Sequence, residues 1–408
     1  MGCSRSKLNP AAAALAAGRP EIFGDDNMNK SSVVIIGAGL SGLYAAFLLE
    51  QQGLHDYVVL ESRHRLGGRL LSETVANARF DLGATWYWPD LQPQLDALVR
   101  ALGLETMQQQ DAGMMVFEQS ATSPVQRFEG LPADATRSLR IEGGMAALVD
   151  ALAAQGPWRK VRFGHRVRRI EQQGGADILV EAVTDSAQTS QVHAGHVLLA
   201  LPPRLAIDQI AIDPGLPPAL ARAWAGCPTW MAPHAKYLAV YPRPFWREQG
   251  LSGSGRSYAG PLVEIHDASP PEGPGALFGF VGVPASARQK LPHEALLSLC
   301  RAQMGRLFGP QAQQPLAEWL KDWSQDADTA TSADFHPAAG HATAPPASAT
   351  EPPWKGRLVG IASEWSPSFA GYVAGAIDAA QRGTDRVIAD LAQQSNGSSP
   401  LHSHPHVA

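Results

Sequence analysis

The feature that most constrains this chain is a run of glycines, Gly37-Ala38-Gly39-Leu40-Ser41-Gly42, set between an apolar strand and an amphipathic helix. Val33-Val34-Ile35-Ile36 reads as a parallel strand buried on both faces. After the glycines, Leu40, Leu43, Tyr44 and Phe47 share one helix face, and Gly53 sits where a C-terminal cap belongs. Residues 57–60 form the next apolar strand, which ends at Glu61. Each glycine has a separate task. Gly37 permits the tight turn, Gly39 lets backbone N–H groups approach a pyrophosphate, and Gly42 lets the helix pack close to the strand. The helix N-terminus, with Ser41 in its first turn, suits an anion, and Glu61 suits the two ribose hydroxyls of a dinucleotide.

The residues after Glu61 separate the possible dinucleotides. Arg63, Gly67, Gly68 and Arg69 continue directly from the acid. Two further glycines let more backbone reach a diphosphate, and two arginines add permanently charged planar donors. This segment resembles the arginine and double-glycine signature of the large FAD family of amine oxidases, desaturases and protoporphyrinogen oxidase.

The resemblance to the flavin amine oxidases runs from about residue 33 to 391. Asp81-Leu82-Gly83-Ala84-Thr85-Trp86 resembles the family segment lying along the isoalloxazine, and Glu142-Gly143-Gly144-Met145 its return to the FAD domain. Val167 falls where the family makes a backbone contact to adenine, and 199–203 resembles its strand-ending ALPP. Lys236, ten residues ahead of Trp246, matches the lysine that holds a water against flavin N5. An ammonium there also favours electron transfer to oxygen. Trp323 resembles a tryptophan packed near the flavin. Residues 364–376 resemble the final FAD motif, in which Glu364 contacts FAD. By the same resemblance, the helix starting near Gly371, with Tyr372 and Val373, would direct its positive end at the flavin pyrimidine edge. The resemblance implies that Tyr372 falls on one wall of the family's aromatic substrate cage.

Two departures stand out. Nine residues beyond Trp323 the mitochondrial enzymes carry a cysteine bound to FAD; here that place is Ser332, which implies non-covalent FAD. The next residue is Ala333 where those enzymes have a tyrosine, which implies a missing second cage wall.

The resemblance implies an α/β fold. A Rossmann-like FAD-binding domain (31–86, 159–230 and 323–395) interleaves with an α+β substrate domain (87–158 and 231–322) carrying a mostly antiparallel sheet. A disordered leader, 1–30, and tail, 396–408, flank them. The implied reaction oxidises a C–N bond to an imine, with hydride transfer to flavin N5 and reoxidation by oxygen to hydrogen peroxide. The implied partners are a small-molecule amine and molecular oxygen. The alternatives are a desaturase or other C–C oxidising flavoprotein of the same superfamily, or a catalytically weak FAD-binding partner protein. The N-terminal Met1-Gly2-Cys3-Ser4-Arg5-Ser6 fits a lipidation pattern, read more simply as the start of the leader.

Composition bounds the rest. In 408 residues, a formal net charge of −5 without basic runs leaves no footprint for nucleic acid. No apolar run reaches the length of a membrane span. Three widely spaced cysteines fit a reducing compartment, the cytoplasm, and no CxxC or HExxH motif points to a metal.

Overall fold

The computed structural model describes residues 30–129, 137–335 and 343–397; the expected leader to residue 29 and the tail from 398 lie outside them. Two large sheets organise the chain. In the first, strand Lys30–Ile36 lies in the middle, with Tyr57–Leu60 and Thr189–Leu199 parallel to it on either side. Val161–Arg162 and Leu358–Gly360 extend this parallel core, and His165–Gly174 and Asp177–Thr184 continue it as an antiparallel flap. Val33 and Ile35 bury one face of the sheet, Val34 and Ile36 the other, so the continuous apolar run follows from helices and loops covering both sides.

Helix Leu40–Gln51 begins at Gly39, and Gly37 takes φ +105°, a conformation that glycine adopts without strain. A Cβ on Gly42 would stand 2.0 Å from the Gly37 carbonyl oxygen, so the third glycine is a packing requirement. The last helix, Val373–Gly397, lies beside this first one, with Tyr44 Oη donating to Gln381 at 3.4 Å. It starts two residues after Gly371, because Gly371 sits at φ +84°, outside helical geometry, and it runs to Gly397, past the expected start of the tail.

Among the described residues the second sheet has seven strands, in the order Ala317–Asp322, Ala235–Tyr241, Gly275–Val281, Leu262–Asp267, Leu251–Ser257, Met114–Glu118 and Gln126–Glu129. All its pairings are antiparallel except that between Leu251–Ser257 and Met114–Glu118. The fold is therefore the expected mixed α/β architecture with a mostly antiparallel second sheet. Residues 87–158 serve both parts. Helices Pro93–Ala101 and Ala146–Ala154 pack into the core of the first sheet, while strands Met114–Glu118 and Gln126–Glu129 join the second. Among the described residues, no helix is long and apolar enough to cross a membrane.

Candidate active site

A cavity of about 740 Å³ runs between the two sheets. That volume lies within the usual range for ligand and cofactor sites, roughly 300–1,000 Å³. At one end its wall is backbone. Gly37, Gly39, Gly67 and Gly68 line it, and Gly67 N–H donates to the Ala38 carbonyl at 2.9 Å, which binds the two glycine turns together. A Cβ on Gly68 would come within 3.2 Å of Gly39 Cα, and one on Gly67 within 2.6 Å of the Leu70 carbonyl oxygen, so the second turn is tight against backbone. Helix Leu40–Gln51 has no side-chain cap and no acid in its first turn, which leaves its N-terminal donors for an outside acceptor. Glu61 is buried at 3% exposure and accepts from Ala38 N–H at 2.7 Å and Arg63 N–H at 2.9 Å. These bonds fix the carboxylate while leaving acceptor capacity for ribose hydroxyls. The glycine cradle, the uncapped helix and the held acid together fit a dinucleotide.

The arginines are shared between this end and the protein. Arg63 lines the cavity while pairing with Asp326 and donating to Thr329 at 3.1 Å. Arg69 lines the cavity and forms a two-pronged pair with Glu364, at 2.5 and 2.9 Å, with a further bond to Ser363. Glu364 is 1% exposed and is not part of the wall. Its oxygens hold the Arg69 guanidinium in plane. Gly42 also lies behind the wall, packed on Gly37. Ser41, Val167, Trp323, Gly371 and Val373 line the cavity. Trp323 donates from Nε1 to the Leu82 carbonyl at 3.1 Å, which pins the segment 82–86.

At the other end stands Lys236, 3% exposed, the second residue of strand Ala235–Tyr241. Its Nζ donates to Thr85 Oγ1 at 2.6 Å and to the Gly83 carbonyl at 3.3 Å, and lies 3.9 Å from the centre of the Phe278 ring. The structure thus brings Lys236 to the segment Gly83, Ala84, Thr85 and Trp86, all of which line the cavity. Burial pushes the Lys236 ammonium down to about 7; Asp81 opposes this and Arg140 adds to it. Burial likewise holds the Asp81 carboxyl above the usual range, against the pull of Lys236 and hydrogen bonds from Ser72 and the Met145 N–H.

Tyr372 faces the cavity, and Trp88 meets it edge-on with ring centroids 6.1 Å apart. Trp230 adds a second indole, packed against Gly371, whose Cβ would collide with it at 2.5 Å. Ser332 and Ala333, counted from Trp323 in the sequence, do not stand on the cavity wall. Both are exposed in the short 3₁₀ turn Ser332–Phe335. The loop is drawn aside because Asp326 and Asp328 pair with Arg63 and Arg166, and Asp334 with Arg204. The aromatic companion of Tyr372 is Trp88, which sequence counting from Trp323 overlooked. Its signal was the alternation Trp86, Trp88 beyond the Gly83 turn. Glu264, Phe280 and Arg288 also line the cavity and were not foreseen.

Comparison with known proteins adds an independent line. The sequence profile of the flavin containing amine oxidoreductase family matches residues 118–388, and that of a NAD(P)-binding Rossmann-like domain matches 35–102. AofH of Mycobacterium tuberculosis, named as a flavin-containing monoamine oxidase, is 28% identical, with 88% of this chain and 97% of the relative covered. Putrescine oxidase of Kocuria rosea is 25% identical over 74% of this chain and 84% of its own. Among solved structures, putrescine oxidase bound to putrescine superposes with a TM-score of 0.70 at 23% identity, covering 88% of this chain and 99% of that one. Cyclohexylamine oxidase from Brevibacterium oxydans gives 0.71 at 20% identity, covering 89% and 99%. At these identities the structural likeness is one of fold.

Proposed function

The chain belongs to the flavin-containing amine oxidoreductase family, and we propose that it oxidises the C–N bond of a small amine, using non-covalently bound FAD. The observation that carries this reading is the buried Lys236 beside Gly83 and Thr85, on the wall of a cavity whose far end is a glycine cradle. When bound, FAD supplies the hydride acceptor and passes the two electrons to oxygen, which leaves as hydrogen peroxide. The amine loses its α-hydrogen as hydride and an N–H proton, the C=N bond forms, and water hydrolyses the imine.

The remaining tasks fall to the chain. The Gly37–Gly39 turn and the uncapped helix would hold the diphosphate, Glu61 the ribose, and Arg69, fixed by Glu364, a charged flank. Tyr372 and Trp88 would orient a neutral amine by their ring faces and edges. A protonated Lys236 would set a positive charge where oxygen gains electrons. Arg288 has at most one Nη1 hydrogen left for an amino-acid carboxylate. Its other donors are committed to Asp322, Ser324 and the carbonyls of Val283 and Pro233. Cys227 and Cys300 are buried away from the cavity wall, which supports non-covalent FAD. The three widely spaced cysteines favour the cytoplasm.

Anaerobic titration of the yellow holoprotein tests the proposal. Bleaching by an amine, then peroxide on admitting air, is the expected result. Bleaching by a polyene alone would move the chain to C–C oxidation, and bleaching by nothing would leave a binding protein. Acid precipitation is expected to release the colour to the supernatant.

A further inference from the structure

The second sheet ends on one side at Gln126–Glu129, a strand exposed along its whole length. It pairs with Met114–Glu118 and, among the described residues, with nothing on its outer side. A free strand edge presents N–H and C=O groups ready to pair with another chain, and proteins ordinarily blunt it with charge or cover it. This edge carries aromatic rings. Phe128 is 47% exposed and Tyr258 81%. Phe117 meets both edge-on, with ring centroids 6.2 and 5.5 Å away. The three rings form one apolar strip that runs out to the last strand.

Two charges flank Phe128 on this strand, Arg127 and Glu129, and both are exposed, with no ion-pair partner among the described residues. Two copies of the strand related by a two-fold axis perpendicular to the sheet pair antiparallel, with one residue facing its own counterpart. Centred on Arg127, the arginines oppose each other. Centred on Glu129, the glutamates do. Centred on Phe128, Arg127 of each copy faces Glu129 of the other, and the two Phe128 rings meet across the axis. A blocked edge would be served by charges of one sign. Opposite signs two residues apart leave one register favourable, because opposed unlike charges and aromatic pairs stabilise neighbouring strands and like charges do the reverse.

We propose that Gln126–Glu129 is a self-pairing edge, through which two copies of this chain join their second sheets antiparallel, centred on Phe128. A contact built on a strand of four residues a side is small against the roughly 1,600 Å² of a standard interface, so the dimer is weak and concentration-dependent. The edge lies five strands from the one that carries Lys236. At about 4.8 Å per strand that is roughly 24 Å, so pairing leaves each cavity as it is.

Sedimentation equilibrium of the holoprotein over rising concentration tests this. The parent is expected to pass from monomer to dimer. Arg127→Glu sets acids against acids, and Glu129→Arg sets arginines against arginines. Each should weaken self-association by about 10- to 100-fold, since both opposed pairs become repulsive. The double variant Arg127→Glu/Glu129→Arg should restore it. Mixing the two single variants should give a heterodimer although neither pairs with itself, a result that a merely disturbed strand would not produce. Bound flavin per polypeptide should stay parental throughout. A parent monomeric at every concentration, a dimer that the single variants leave unchanged, or a mixture that stays monomeric overturns the inference. A monomeric parent carried down by phosphatidylcholine vesicles overturns it too, and assigns the aromatic strip to a lipid surface.

Discussion

At one end of the cavity, Gly37, Gly39, Gly67 and Gly68 present backbone, and the acid nearby, Glu61, is held by two backbone N–H groups. At the other end, Lys236, Phe280 and Glu264 present side chains from successive strands of a sheet. The difference lies in how each end tolerates change. Where backbone lines the wall, an added carbon on Gly37 or Gly67 would meet a carbonyl oxygen at 2.9 or 2.6 Å. Where side chains do so, the strand ladder stays intact and a substitution alters charge or shape alone. The first end thus accepts one ligand geometry, while the second can be retuned residue by residue.

The sharpest way to break this comparison is Gly42→Val. Its Cβ would meet the Gly37 carbonyl oxygen at 2.0 Å, a backbone atom that cannot rotate away. Loss of all FAD, or of soluble protein, is expected, read as flavin per polypeptide after gel filtration. A fully yellow variant would show that the cradle is more yielding than its geometry states.

Lys236→Met tests the side-chain end. The packed stem is largely kept and the charge removed, so the sheet should survive. Reaction of the reduced enzyme with oxygen should slow by roughly 10- to 1000-fold, with flavin reduction only modestly changed. The pH dependence comes from the lysine's lowered pKa. The ammonium is present below about 7 and lost above it, so parental reoxidation should slow as pH rises through that region. The Met variant should show no such step. The same shift acts on stability. Between about 7 and the ordinary 10.5, the unfolded chain binds a proton that the folded chain does not. The burial cost is therefore full below pH 7 and is relieved as pH rises through this window, where parental stability should climb relative to the Met variant.

Glu61→Ala returns to the backbone end but removes only a side chain. Weaker FAD retention by about 10- to 100-fold is expected, equivalent to losing one charge-assisted contact of about 1.5–3 kcal/mol. Equilibrium dialysis against FAD measures it, and an unchanged affinity would remove Glu61 from the ribose. The smallest effect is expected for Tyr372→Ala. Its edge-on contact with Trp88 is of a kind that contributes about 0.5–1.5 kcal/mol. Substrate binding or flavin reduction should weaken by about 2- to 10-fold while reoxidation holds near the parental rate. A slowed reoxidation would merge the two ends that the comparison keeps apart.

Much of the first sheet was legible because its signals are local. An apolar run, a glycine turn and a helix face lie within a few tens of residues of one another. The second sheet was less so. Leu251–Ser257 is rich in glycine and serine, and nothing in its composition announces a strand; pairing with its neighbours makes it one. Leu262–Asp267, which carries Glu264, was missed for want of a long alternating pattern. Counting from Trp323 to Ser332 does not lead to the cavity wall, for another reason. The acids at 326 and 328 fold that loop onto Arg63 and Arg166, and sequence offsets do not survive a turn set by distant ion pairs.

The amino-acid sequence by itself determined the βαβ opening, the positions of its glycines and the buried character of its strands, since steric limits on the backbone and burial of apolar runs act over short distances. Tertiary structure alone decided which charges face the cavity. Lys236 meets Thr85 across 151 residues, and Arg69 takes Glu364 out of the wall across 295. Such partners are chosen by strand register and by the cost of burying an unpaired charge, and both exist only once the sheets have closed on one another.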